Sequence, residues 1–174
     1  TTVALAPDGS VWFTEGAGNR IGRMNPDGTG LRGFPLPNPK SSPRIIALGS
    51  DGNMWFSEHT GNRMGRIAPD GTIAEFPIPT PNSMPRAIAL GADGNIWFGE
   101  FAGGKIGRVT PQGVITEFPI PTPDSGARAL AAGSRRTFLG VLAALPAAGG
   151  LLGSLLPQEA EAKDRRRRRK QRDK

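Results

Sequence analysis

Residues 51–58 read Asp-Gly-Asn-Met-Trp-Phe-Ser-Glu, and close copies of this stretch occupy residues 8–15 and 93–100. The tryptophan within it recurs after 43 and then 42 residues, so one unit of nearly constant length repeats. Repeats of this length are typical of propellers and solenoids. Apolar residues flank each tryptophan, and adjacent strand residues point to opposite faces, so the run predicts a strand covered on both faces. A radial stack of small sheets, the β-propeller, meets that requirement.

Each repeat is predicted to form four short strands joined by tight turns. Asp51-Gly52 and Asp70-Gly71 supply the positive φ values that such turns require. In the middle copy we expect strands at residues 44–48, around Trp55, at 64–67 and at 72–76. Residues 77–79 should leave the sheet, because proline donates no hydrogen bond to a neighbouring strand. The predicted fold class is all-β, built from four-stranded antiparallel propeller blades of about 42 residues.

The repeats divide the chain into four segments. Residues 1–126 are interpreted as three β-propeller blades, and residues 127–133 as the degraded start of a fourth repeat. An apolar segment follows at residues 134–162, and residues 163–174 form a basic tail that we expect to be disordered. Residues 1–133 carry equal numbers of acidic and cationic residues, so the formal net charge of +7 arises entirely after residue 133. The chain has no cysteine, which excludes disulfides and thiol chemistry.

The blade motifs resemble those of one enzyme family. Residues 85–88 read Pro-Arg-Ala-Ile, 93–100 Asp-Gly-Asn-Ile-Trp-Phe-Gly-Glu, 103–109 Gly-Gly-Lys-Ile-Gly-Arg-Val and 117–123 Glu-Phe-Pro-Ile-Pro-Thr-Pro. This pattern is similar to the blade of the streptogramin B lyase family, also called the virginiamycin B lyase family, over about three quarters of the chain. The resemblance implies a seven-bladed propeller, of which three blades are an incomplete set. Because the chain begins within a blade and without methionine, we expect it to be a fragment.

The resemblance also implies a function in antibiotic resistance. Enzymes of the family are carbon–oxygen lyases that linearise cyclic depsipeptide antibiotics of the streptogramin B class by elimination at the ester. Mg²⁺ is the implied cofactor, and it would stabilise the developing negative charge while a histidine removes the α-proton. The implied partner is therefore a small cyclic depsipeptide.

The histidine positions of the family hold arginine in this chain. The base of the family follows the proline of a Pro-His-x-Ile motif, where this chain has Arg44, Arg86 and, in the degraded fourth copy, Arg128. Arginine stays protonated near neutral pH and cannot act as a base. We therefore expect an inactive or partial form, and the sequence leaves open whether the chain is an enzyme. His59, the only histidine, is the remaining candidate for a catalytic role.

Two other sets of residues are candidates for binding. Arg44 and Arg86 occupy equivalent blade positions and are candidates to bind an anionic ligand through bidentate contacts. The glutamate that ends each tryptophan segment occupies a metal-ligand position of the family, so the candidate metal ligands are Glu15, Glu58 and Glu100. Since the glutamate recurs in every blade, a structural role is the competing interpretation, for instance pairing with the cations of the next turn, Arg20, Arg63 and Lys105. The other metal-binding carboxylate of the family has no counterpart, because Ser42 and Met84 stand in its place.

A non-catalytic role remains open beside the lyase interpretation. In that alternative the chain is an exported propeller that binds a ligand or a protein partner at its loops. Three blades would also leave two blade faces uncovered, and burying several hundred Å² of apolar surface is worth on the order of 10 kcal/mol at most. We therefore expect marginal stability or self-association through the open faces.

The C-terminal residues resemble a twin-arginine export signal. Arg135-Arg136 precede an uncharged run of 19 residues at 138–156, and Ala160-Glu161-Ala162 provides a small-x-small cleavage pattern. Three other interpretations of this segment remain. The uncharged run is long enough for a membrane anchor, or it packs as a C-terminal helix on the open blade stack. Alternatively, the segment is joined to the blades out of its natural order. A genuine signal implies an exported bacterial protein, and otherwise the chain is cytoplasmic. The cationic run 165–170 is expected to be solvated, with nucleic acid or an anionic membrane as alternative partners.

Overall fold

The computed structural model describes residues 2–122 and 125–130, which contain three four-stranded antiparallel sheets and no helix. The first sheet comprises β1 (Val3–Leu5), β2 (Val11–Glu15), β3 (Arg20–Met24) and β4 (Arg32–Pro35). The second comprises β5 (Pro43–Leu48), β6 (Met54–Glu58), β7 (Arg63–Ile67) and β8 (Ile73–Pro77). The third comprises β9 (Pro85–Leu90), β10 (Ile96–Glu100), β11 (Lys105–Val109) and β12 (Ile115–Pro119). In each sheet the strands follow one another in chain order, which is the topology of a propeller blade.

The predicted strands of the middle repeat are confirmed to within one residue at most ends. One difference is that Pro77, which was expected to lie outside the sheet, ends β8 and pairs with Arg63. A proline is tolerated there because β8 is an edge strand, so its missing N–H interrupts no further pairing. The all-β propeller prediction is thus confirmed for the described residues.

The spacing that recurs inside the Asp-Gly-x-x-Trp segment of each repeat has a direct structural cause. In the second sheet Asp51 Oδ1 accepts the backbone N–H of Asn53 and the indole N–H of Trp55, both at 3.2 Å. Gly52 adopts a φ of +77°, which the turn requires and which side chains rarely allow. The third sheet repeats the indole bond from Trp97 to Asp93, whereas Trp12 of the first sheet donates to the hydroxyl of Ser10. The segment therefore ties a tight turn to the large side chain that follows it.

Tryptophan and phenylalanine of the same strand pack against different neighbouring sheets. Trp12 of the first sheet shares one apolar core with Phe56 of the second. Trp55, the neighbour of Phe56, shares a second core with Phe98 of the third sheet. Every residue of β6 is consequently buried, because a sheet covers each of its faces.

Aromatic rings of one sheet also fit against glycines of the next. Phe34 stacks on Trp12, with ring centroids 5.7 Å apart, and its ring lies against Gly71 of the second sheet. Phe76 stacks on Trp55 in the same way and lies against Gly113 of the third sheet. A side chain at either glycine would collide with the ring, so the turn glycines also serve the contact between blades.

The outer sheets each leave one face open within the described residues. On the first sheet Val3 is 63% exposed and Leu5 is 66% exposed, and both lie on the same face as Phe13. On the third sheet Phe118 is 39% exposed and Trp97 is half-buried, although residues 125–130 pack against Gly99 on this side. The prediction that each tryptophan strand is covered on both faces therefore holds fully for β6 only.

Several predictions concern residues outside those that the structure describes. The twin-arginine-like segment at 134–162 and the basic tail at 163–174 lie wholly outside them, and of residues 127–133 only 127–130 are described, without a strand. Among the described residues no helix has the length and apolar character needed to cross a membrane.

Candidate functional site

The first strands of successive sheets lie side by side, which brings together residues that occupy the same position in each repeat. β5 contacts both β1 and β9, so these strands form the inner layer of the blade stack. Arg44 and Arg86 are the second residues of β5 and β9, and Arg128 stands another 42 residues along the chain. The hydroxyls of Thr2 and Thr14 donate to the backbone carbonyl of Arg44 at 2.9 Å, which fixes the start of β5 against the first sheet.

The residue after each buried glutamate lies between two of these arginines. In the second sheet this residue is His59, which is close enough to Arg44 and Arg86 for both charges to act on it. In the third sheet it is Phe101, whose ring centroid lies 4.5 Å from the guanidinium carbon of Arg86 and 4.8 Å from that of Arg128. We call these five residues the arginine row: Arg44, His59, Arg86, Phe101 and Arg128.

The electrostatics of the arginine row are those of crowded positive charge. Burial, together with the charges of Arg44 and Arg128, lowers the pKa of Arg86. Burial and then the charges of Arg44 and Arg86 lower the pKa of His59, while the backbone of Pro85 and Met84 acts in the opposite direction. The net lowering of the pKa favours the neutral form of the His59 imidazole. A site of this kind favours a ligand or intermediate with negative charge.

The candidate metal ligand Glu58 is buried beside Ser41. Its side chain is fully buried, and its Oε2 accepts a hydrogen bond of 2.5 Å from the hydroxyl of Ser41. Burial raises the pKa of Glu58 to about 7, with a further contribution from the nearby carboxylate of Glu75.

Glu100 repeats this arrangement in the third sheet with fewer partners. Its side chain is fully buried, and neither of its carboxyl oxygens has a hydrogen-bond partner among the described residues. Burial raises the pKa of Glu100 to about 7, and the charge of Glu117 acts in the same direction. Lys105 lies nearby, but its amino group pairs with Glu117 at 2.7 Å. A protonated carboxyl at this position avoids a buried unpaired charge.

Glu15 of the first sheet is the one glutamate of the three that forms the predicted ion pair. Arg20 donates to both of its oxygens, at 2.8 and 2.7 Å, and this bonding lowers the pKa of Glu15. In the second sheet Arg63 instead lies 3.8 Å from Glu75, so the predicted partner of Glu58 pairs with another carboxylate. The reason is a difference in β4, where Gly33 occupies the position that Glu75 and Glu117 occupy in the later sheets.

The candidate metal ligands lie on separate sheets. Within residues 2–122 and 125–130 no three or more histidine, aspartate or glutamate side chains are grouped so that they could hold a metal ion. Mg²⁺ prefers octahedral coordination by oxygen, often from one or two carboxylates together with water. The described residues contain no such group of three, and Mg²⁺ binding by this chain stays a prediction.

A cavity of about 250 Å³ lies between the first and second sheets, at the end of the strands opposite to the arginine row. Trp12, Arg23, Met54 and the turn residues Asp8 and Gly52 contribute to its lining. No member of the arginine row borders it, so the cavity is separate from the candidate ligand site.

The profile of the Virginiamycin B lyase family matches residues 1–139. The chain belongs to the virginiamycin B lyase family. Over 44 residues it is 52% identical to virginiamycin B lyase from Bordetella parapertussis and to that from Bordetella pertussis, a match that covers 25% of this chain and 14% of each relative.

Solved structures of the family extend the match to all three blades. Virginiamycin B lyase from Staphylococcus aureus superposes with a TM-score of 0.74 at 50% identity, covering 76% of this chain and 45% of that one. A catalytically inactive histidine-to-alanine variant of the same lyase, solved with quinupristin, matches with the same values. A streptogramin B lyase structure matches with a TM-score of 0.73 at 44% identity, covering 75% of this chain and 44% of that one. The chain thus spans less than half the length of these family structures.

The structure adds two features to the candidate residues of this family member. Phe101 was not singled out by sequence reasoning, although it occupies the repeat position of His59 and that equivalence is visible in the sequence. Glu75 and Glu117, which pair with Arg63 and Lys105, were also missed, because their role depends on which strands pair. Arg44 and Arg86 lie together as equivalent members of one row, whereas Glu15, Glu58 and Glu100 do not come together.

Proposed function

We propose that the described blades form part of a small-molecule-binding face of a virginiamycin B lyase-family propeller and bind their ligand without catalysing its elimination. The observation that carries this proposal is the arginine row, in which Arg44, Arg86 and Arg128 occupy the blade-start positions where the family has its base. Guanidinium groups bind and orient a ligand but do not remove a proton at neutral pH. Small-molecule binding by the family is supported by the relative solved with quinupristin.

His59 favours a second candidate, the family elimination itself. The pKa of His59 is lowered, which favours the neutral imidazole, the form that accepts a proton. Arg44 and Arg86 lie beside it and would stabilise negative charge that develops on a substrate. Against this candidate, no carboxylate of the described residues forms an ion pair with His59, so none orients the imidazole as in a catalytic pair.

Incubation of the full chain with quinupristin and Mg²⁺ tests the proposal. Mass spectrometry and chromatography would follow conversion of the cyclic depsipeptide to its linear product. We expect no more linear product than in a control with heat-unfolded chain. Turnover that disappears in His59→Gln would overturn the proposal and establish the lyase candidate.

A binding measurement completes this test. Saturation-transfer NMR of quinupristin with the intact chain should show contact without turnover if the face only binds. Neither contact nor turnover would mean that these blades do not recognise this class of molecule, which would also contradict the proposal.

A further inference from the structure

We infer that the arginine row is an oxyanion-binding site, which takes the carboxylate or phosphate group of a small molecule between Arg44, Arg86 and Arg128. The inference rests on the proposed ligand-binding function of this face and names the chemistry that the face recognises. It applies to this chain because the three arginines stand where the family pattern has histidine.

The spacing of the arginines follows from the blade repeat. β5 and β9 contact each other, and their second residues, Arg44 and Arg86, are close enough for the charge of Arg44 to act on Arg86. Phe101 lies close to the guanidinium groups of both Arg86 and Arg128, at 4.5 and 4.8 Å from its ring centroid. Guanidinium groups that lie over an aromatic face keep their N–H edges free for bidentate bonds to a carboxylate or phosphate.

These arginines differ from most others in the described blades. Arg20, Arg23, Arg63 and Arg66 each have a guanidinium nitrogen within 4.0 Å of a carboxylate. No carboxylate of the described residues forms an ion pair with Arg44, Arg86 or Arg128. Donors that are held together without an acceptor are what an oxyanion site requires.

The mutual repulsion of the three guanidinium groups makes the binding of an anion near them favourable. Arg86 is close enough to both Arg44 and Arg128 for their charges to act on it. An oxyanion bound among them offsets this repulsion and accepts charge-assisted hydrogen bonds. His59 is close enough to Arg44 and Arg86 for both charges to act on it, and its neutral form, which the lowered pKa favours, can donate or accept a hydrogen bond without adding to the repulsion.

Isothermal titration calorimetry of the full chain with citrate and with inorganic phosphate tests the inference. The titrations are made at pH 7.5 and low salt, with sodium chloride of matched ionic strength as the reference. The preferred probe tells whether a carboxylate or a phosphate fits better. We expect Arg86→Gln and Arg44→Gln each to weaken binding at least about tenfold, because each removes charge-assisted hydrogen bonds.

Arg32→Gln is the matched control, because Arg32 is exposed on an edge strand outside the arginine row. It removes the same charge and should leave the affinity unchanged. Arg44 is also exposed, so Arg44→Gln should keep the native urea midpoint and test the site even if Arg86→Gln unfolds the chain. Binding that resists both substitutions would place the anion on the cationic run 165–170 and overturn the inference.

The outcomes separate this inference from the proposed function. Absence of anion binding overturns the inference alone, while absence of ring opening leaves the binding proposal intact. Ring opening of quinupristin together with arginine-dependent anion binding would overturn the non-catalytic proposal and support the oxyanion site.

Discussion

The hydroxyl of Ser41 donates a hydrogen bond of 2.5 Å to Oε2 of Glu58, a carboxyl group with no exposed surface. Oε1 of the same group has no partner among the described residues. This environment disfavours the ionised form more than the single hydrogen bond favours it, so the pKa of Glu58 is raised to about 7. The stability of the blades should therefore depend on pH.

The free energy of unfolding is expected to fall between pH 5 and 8. Glu58 and Glu100 have a pKa of about 7 in the folded chain against an ordinary value of 4.5, so the folded chain holds protons that the unfolded chain has released. Their contribution is complete below the unfolded value and is lost as the pH rises through the folded value. The shift corresponds to roughly 3 kcal/mol per carboxyl at most. Urea unfolding followed by tryptophan fluorescence measures the effect.

Glu58→Gln should remove its part of this pH dependence, since the amide is neutral at every pH. We expect the variant to be more stable than the native chain at pH 8 and to differ little at pH 5. Glu15→Gln is the control, because Arg20 lowers the pKa of Glu15 and keeps it ionised over the whole range. A Glu58→Gln variant with the same pH dependence of stability as the native chain would contradict the prediction.

Gly65→Ala should destabilise the chain by about 1–3 kcal/mol through overpacking. A Cβ at Gly65 would collide with the ring of Phe56, which is fully buried between two sheets and cannot move aside. Gly22→Ala should cost less, because the equivalent ring of Phe13 lies on an open face. Gly18→Ala is the control, since a Cβ there meets only ordinary van der Waals contacts at 3.5 Å or more. Equal urea midpoints for the first two variants would refute the packing argument.

Trp55→Ala is expected to cost about 3–5 kcal/mol, the usual range for deleting a buried large aromatic side chain. Trp55 is 1% exposed and lies between the second and third sheets. Trp97→Ala should cost clearly less, although Trp97 stacks on Phe118 at the same 5.5 Å as Trp55 on Phe76, because its face of the third sheet is partly open. Thermal and urea unfolding of both variants compare the two sites, and the reverse order would contradict the assignment of inner and outer blades.

Self-association through the first sheet remains a prediction with a direct test. Val3, Leu5 and Phe13 form an apolar face, whereas residues 125–130 already cover part of the third sheet. Leu5→Glu should lower the concentration-dependent mass measured by light scattering, because it places a charge on that face. Thr72→Glu adds the same charge to an exposed turn of the middle sheet and should have no effect. A chain that stays monomeric at all concentrations would contradict this prediction.

Local chemistry made most of the fold predictable. The Asp51–Trp55 hydrogen bond, the positive φ of Gly52 and the apolar neighbours of the tryptophan act within a few residues of one another. Such requirements appear in the sequence as particular residue types at a fixed spacing. Because the pattern recurs three times, it predicts three similar sheets. The arginine substitutions at the blade starts could be read in the same way, because equivalence between repeats is itself a property of the sequence.

Contacts between repeats were decided only by the tertiary structure. The sequence does not reveal that Arg63 and Lys105 pair with Glu75 and Glu117, because those pairs depend on strand register. Nor does it reveal that Phe101 lies beside two arginines from different repeats. The pKa values of Glu58 and Glu100 likewise depend on burial by neighbouring strands and turns. The sequence alone determined the structure of each blade, because the interactions that define a blade are local. The stacking of the blades decided which charged groups form pairs and which remain without a partner.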